Sequence, residues 1–105
     1  MDQKYELVLC IVNAGFSQNV MEAARSAGAK GGTIVRARGT ANPESEEFFN
    51  ITIQPDKEMV MILARAEVKD DIMHAVYKEC GPASEGQGLV MSLPVSRTTT
   101  LKEKE

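Results

Sequence analysis

The chain has 105 residues, 43% hydrophobic and 26% charged, with 12 basic against 15 acidic side chains and a net charge of −3. That length holds one domain with one modest core. The acidic surplus argues against nucleic acid as the main partner, because phosphate binding needs a basic field. No apolar run nears the ~18 residues of a membrane span. Met1-Asp2-Gln3-Lys4 carries no basic-then-apolar export signal, so a cytoplasmic protein is expected.

The elements follow from hydrophobic period and turn chemistry. Tyr5 to Val12 holds the unbroken apolar run Leu7-Val8-Leu9-Cys10-Ile11-Val12, which suits a strand buried on both faces. Asn13 to Phe16 reads as a turn. Ser17 is placed to cap a helix whose stripe is Val20, Met21, Ala24 and Ala27, and Gly28 to end it in a left-handed conformation. Thr33 to Arg38 alternates as a second strand, with Arg36 and Arg38 pointing the same way. Gly39 to Glu47 reads as loop, and Phe48 to Gln54 as a short strand that Pro55-Asp56 breaks.

Met59 to Ala64 is a second apolar run and a further strand. Asp70-Asp71 mark a helix start, where negative charge suits the dipole. Ile72, Met73, Ala75, Val76, Tyr77 and Cys80 form its buried stripe, and Gly81-Pro82 stop it. Leu89 to Val95 is the last strand, with Pro94 indicating an edge or a strand end. The domain spans 1–96, and 97–105 is a polar tail.

The order strand, helix, strand, strand, helix, strand predicts an α+β, ferredoxin-like βαββαβ fold: a four-stranded antiparallel sheet with two helices on one face. Two helices cannot cover both faces. The first and third strands are nevertheless apolar at nearly every position, so about six to nine apolar side chains face outward, each forgoing ~1.5–3 kcal/mol of burial. Patches of that size mark interfaces, so a homo-oligomer with sheets packed together is expected. Two alternatives avoid this: one strand is a helix, or Phe48–Gln54 folds over the bare face.

Catalytic signals are sparse. Cys10 and Cys80 stand 70 positions apart and read as buried, reduced thiols. His74 is the only histidine, in a helix. No metal-ligand spacing occurs, and Glu44, Glu46 and Glu47 read as solvated surface. No catalytic residue and no metal site is therefore expected. Asn50-Ile51-Thr52 fits a glycosylation sequon but has no meaning without export. Gly86-Gln87-Gly88 precedes a strand rather than a helix. It is either an anion nest or a tight turn, and Gly31-Gly32-Thr33 has the same double reading. Arg36 and Arg38 bind phosphate or lie as snorkelled surface residues. The twenty residues Gly39 to Glu58 are long for a connection between adjacent strands. Phe48-Phe49 beside three glutamates there suit either partner contact or an extra hairpin that buries the rings.

Four features in this order resemble the PII nitrogen-regulatory signalling proteins over nearly the whole chain. They are Ala27-Gly28-Ala29-Lys30-Gly31-Gly32-Thr33, the long second loop, Asp70-Asp71-Ile72, and Gly86-Gln87-Gly88 before Leu89-Val90-Met91-Ser92-Leu93-Pro94-Val95. The resemblance implies a ferredoxin-like homotrimer that binds an adenine nucleotide (ATP, ADP or AMP) in clefts between subunits. It also implies a signalling loop, residues 39–58, that regulates a partner such as a transporter or an enzyme. On that mapping Thr33 contacts the adenine, Gly39 and Thr40 stand at the loop base, and Gly86, Gln87 and Gly88 present N–H groups to phosphates. The chain departs from the family pattern at several points. Leu89 stands where the phosphate loop usually continues to a lysine, and Asn42-Pro43 where a glutamine helps hold Mg-ATP and 2-oxoglutarate. Only Arg97, Lys102 and Lys104 remain of the usual arginine-rich end, and the loop lacks a modifiable tyrosine, since Tyr5 and Tyr77 lie elsewhere. These departures point to a PII-like variant with a different or weaker effector. The competing expectations are a small ferredoxin-like oligomeric enzyme, with His74 or an arginine at the mouth of a cavity, and an interaction module that binds no ligand.

Overall fold

A computed structural model describes residues 4–40 and 55–99. Strand β1 (Tyr5–Asn13) leads to helix α1 (Ser17–Ser26), then to strands β2 (Thr33–Arg38) and β3 (Asp56–Arg65), helix α2 (Ala66–Cys80) and strand β4 (Leu89–Pro94). The sheet is antiparallel with order β2-β3-β1-β4, the expected split arrangement, and its two most apolar strands are central. The expected strand at Phe48–Gln54 and the loop residues Asn42 and Pro43 lie outside the described residues.

Alternation along each strand separates two faces. Val8, Cys10 and Val12 of β1 and Val60, Ile62 and Ala64 of β3 are buried beneath the helices. They meet Val20, Met21, Ala23 and Ala24 of α1 and Ile72, Val76 and Cys80 of α2 in one core. The other face carries three cross-strand rows: Leu63–Leu7–Leu93, Met61–Leu9–Met91 and Met59–Ile11–Leu89. No described element covers them. Leu63, Leu89 and Leu93 are 39%, 56% and 45% exposed. The first of the two alternatives to an interface therefore fails, since all four strands form. The second rests on residues 48–54, outside those described.

Several boundaries differ from the sequence reading for local reasons. Strand β3 starts at Asp56 rather than Met59 and passes straight into α2 at Ala66, four residues before the expected Asp70 start. The Ala66 N–H donates to the Lys4 carbonyl at 2.9 Å, and Glu67 supplies the first-turn acid that Asp70-Asp71 were expected to supply. Asp70 instead sits beside Lys69 at 3.0 Å. Tyr77 was expected in the buried stripe but is 61% exposed. Its position lies about 100° round the helix from Val76, away from the line of Ile72, Val76 and Cys80.

Helix α1 is capped from outside itself. Ser17 was expected to cap it but is already helical, and no side-chain cap bond comes from the residue before it. Glu58 of β3 does this work: one carboxylate oxygen accepts the Gly15 N–H at 3.0 Å and the Ser17 N–H at 3.2 Å. The other end behaves as the sequence indicates. Gly28 has φ +116, its N–H reaches the Arg25 carbonyl, and the Ala29 N–H reaches the Ala24 carbonyl. That is the paired-bond ending in which glycine relieves the left-handed strain.

Two predictions follow from these environments. The Gly15 N–H foremost, with Ser17 and the Arg36 charge behind it, holds the Glu58 carboxyl below its ordinary range. Its folded pKa lies below its unfolded pKa, so its contribution is complete above the unfolded value. That contribution fades as pH falls through the folded value. Glu58→Gln should cost about 1 kcal/mol at neutral pH, the usual worth of a helix cap, and should flatten the acid limb of stability measured by urea unfolding between pH 7 and 3. Burial foremost, and then the neighbouring Cys80, pushes the Cys10 thiol up to about 12; burial also raises Cys80. Both thiols should resist an aromatic disulfide reagent at pH 8 in the folded protein and react fully in denaturant.

Candidate functional site

One end of the sheet gathers most of the residues singled out from the sequence. Arg38 closes β2 opposite Asp56, Asn13 closes β1 opposite Lys57, and Leu89 opens β4 opposite Ile11. Gly39 and Thr40, which follow β2, and Gly86, Gln87 and Gly88, which precede β4, therefore share this end. Thr33 does not. It opens β2 opposite Met61, four residue steps from the Ala37–Lys57 pair, or roughly 13 Å along the strand. It lies on the open face, in the row of Met61, Leu9 and Met91.

The glycine loop is tightly folded. Its Gln87 N–H donates to the Ser84 carbonyl, and its Gly88 N–H to those of Cys80 and Gly81. A Cβ on Gly88 would collide with the Cys80 carbonyl oxygen, so the loop passes too close to the end of α2 for any side chain there. Both readings of the motif meet here. The loop is a tight turn, and of its three N–H groups only that of Gly86 lacks a hydrogen-bond partner among the described residues. Gln87 has φ +50, a left-handed conformation uncommon for a residue with a side chain.

Three polar residues that the sequence reading did not single out organise this end. Asn13 is 6% exposed; its amide NH2 donates to the Glu85 carbonyl at 3.0 Å, and its backbone N–H to the Gly86 carbonyl at 2.8 Å. Lys57 Nζ donates to Asn13 Oδ1 at 2.7 Å. Glu58 caps α1 as described and faces Arg36 across the ladder. Opposite charges thus alternate across the β2–β3 seam, Arg36 against Glu58 and Arg38 against Asp56. Asn13 was legible as the lone polar residue ending six apolar ones, whereas Lys57 and Glu58 had been read as the end of a loop.

Chemically this end offers the Gly86 N–H, without a hydrogen-bond partner among the described residues, and the Lys57 ammonium held beside it by Asn13, with Arg36 and Arg38 farther off on β2. That set suits holding a small anion. No group of three or more His, Cys, Asp or Glu able to hold a metal occurs among the described residues. His74 is exposed on α2. Leu89, where a phosphate-binding lysine was expected from the resemblance, is an exposed apolar residue. No described helix is long and apolar enough to cross a membrane.

Comparison with known proteins agrees with this architecture. The fold matches PII of Arabidopsis thaliana bound to citrate with a TM-score of 0.71 and 21% identity, over 99% of this chain and 86% of that one. It matches a PII-like protein of Thermus thermophilus with a TM-score of 0.61 and 22% identity, over 90% and 92%. A functionally unknown protein of Pediococcus pentosaceus matches with a TM-score of 0.65 and 16% identity, over 95% and 100%. At these identities the structures share a fold. No curated protein matches the chain. The sequence profile of the family described as Nitrogen regulatory protein P-II matches residues 5–105, and the chain belongs to that family.

Proposed function

We propose that this chain is a PII-type signal-transduction protein that works as a homotrimer. The trimer holds an adenine nucleotide in clefts between subunits and regulates a partner protein, a transporter or an enzyme of nitrogen metabolism, through residues 39–58. The observation that carries the assembly is the bare apolar face. Nine Leu, Ile and Met side chains lie in three rows with no described element over them, and each gains on the order of 1 kcal/mol when a second sheet covers it. Residues Gly39, Thr40, Gly86, Gln87 and Gly88 form the phosphate-side part of the nucleotide site at the sheet end. Thr33, on the bare face, meets the adenine from the seam where subunits join.

The related Arabidopsis protein was crystallised with citrate, a small polyanion. A polyanion suits the Gly86 N–H and the Arg36, Arg38 and Lys57 charges of this chain. Leu89 removes one cation from the set, so a triphosphate is held less tightly than it would be beside a lysine, by a few kcal/mol at most.

Two measurements test the proposal. Sedimentation equilibrium at micromolar concentration should give three times the chain mass, and Leu9→Glu, in the centre of the bare face, should dissociate the assembly; a wild-type monomer overturns the trimer. Calorimetry with AMP, ADP and ATP on the assembled protein should give binding heat for at least one. Silence from all three overturns the nucleotide site and leaves the family membership standing.

A further inference from the structure

Gly39-Thr40, after β2, and Pro55-Asp56-Lys57, at the start of β3, lie side by side and form a stem at the sheet end. The Gly39 N–H donates to the Pro55 carbonyl at 2.7 Å, and a Cβ on Gly39 would stand 3.0 Å from Lys57 Cε, so the lysine stem lies across that glycine. The tip of the same lysine donates to Asn13 Oδ1 at 2.7 Å. The Ala14 N–H adds a bond to the Asp56 carbonyl at 3.0 Å. On its other side Asn13 holds the Glu85 carbonyl through its NH2 and the Gly86 carbonyl through its backbone N–H.

We infer that Asn13 is a positioning residue that couples the stem residues 39–40 and 55–57 to the glycine loop 85–88. An asparagine amide has a carbonyl at one end and an NH2 at the other. Lys57, an ammonium with donors only, fixes which end faces it; the NH2 is then aimed at the Glu85 carbonyl. A flipped amide would set NH2 against ammonium and carbonyl against carbonyl, both repulsive. Because Asn13 is nearly buried, water does not replace a lost partner cheaply. Movement of Lys57 with the stem therefore frees the Asn13 amide to turn and removes a restraint from the loop. By linkage, disturbing the loop returns the same free energy to the stem. This coupling gives the proposed signalling role its internal connection and takes its functional meaning from that reading.

The test uses amide hydrogen exchange on the nucleotide-free full chain, so its result is independent of the calorimetry. Lys57→Met keeps the stem over Gly39 and deletes the ammonium. It should speed exchange of the Gln87 and Gly88 amides roughly five- to tenfold, within the usual range of a coupling between sites, and leave the Val60 and Ile62 amides unchanged. Lys57→Arg, which keeps a charged donor, should restore protection. Asn13→Asp, which keeps an acceptor for Lys57 and loses the donor to Glu85, should loosen the same two amides with no added effect of Lys57→Met on top. Unchanged exchange at Gln87 and Gly88 in Lys57→Met overturns the coupling. Should that variant fail to fold, full loosening in Asn13→Asp that Lys57→Gln does not reproduce also overturns it.

Discussion

A four-stranded sheet has two faces, and the two described helices cover one of them. The arrangement of the described residues follows from that. The central strands β1 and β3 present Val8, Cys10, Val12, Val60, Ile62 and Ala64 to the helices and Leu7, Leu9, Ile11, Met59, Met61 and Leu63 to the opposite side. Both faces are apolar, so each side of the sheet needs a covering layer. The helices provide one. No described element provides the other, and that open face is the ground for the assembly proposed above.

The sheet also decides where chemistry can sit. The interiors of the two central strands are apolar on both sides, so their polar residues stand mostly at the strand ends. At one end the close of β1 and β2, the start of β3 and the approach to β4 converge, and with them Asn13, Arg38, Lys57, Glu58 and the glycine loop. Hydrogen bonds there run between segments far apart in sequence. Glu58 holds the start of α1, and Asn13 holds the loop before β4. The residues of the proposed anion site thus also carry the polar bonds that hold this end of the framework together.

Much of this was legible in the sequence. Apolar runs revealed β1 and β3, helical spacing revealed both helices, and Gly28 marked the end of α1. The lack of an alternating pattern on the two central strands indicated the bare face. The rest depended on tertiary partners that local signals do not carry. Ser17 has the chemistry of a cap, but a carboxylate from β3 reaches the helix first. Asp70-Asp71 resemble a helix start, but the bond from Ala66 to Lys4 begins the helix earlier. Tyr77 counts as apolar in a stripe, yet its angle round the helix turns it outward. In the candidate site, Gly39, Thr40 and Gly86–Gly88 come together at one sheet end. The separation of Thr33 and the internal use of the Gln87 and Gly88 N–H groups emerge only from strand register and turn geometry.

The strand order β2-β3-β1-β4 places the first strand of the chain between two partners made much later. Of the three ladders, only β2–β3 joins strands consecutive in sequence. Strand β1 waits for residues 56–65 on one side and 89–94 on the other. On the ribosome, the run Leu7 to Val12 emerges before either partner and keeps one edge unpaired until residues 89–94 have been synthesised. Such long-range pairing slows folding, and the greasiest stretch of the nascent polypeptide is the one a chaperone has longest to grasp.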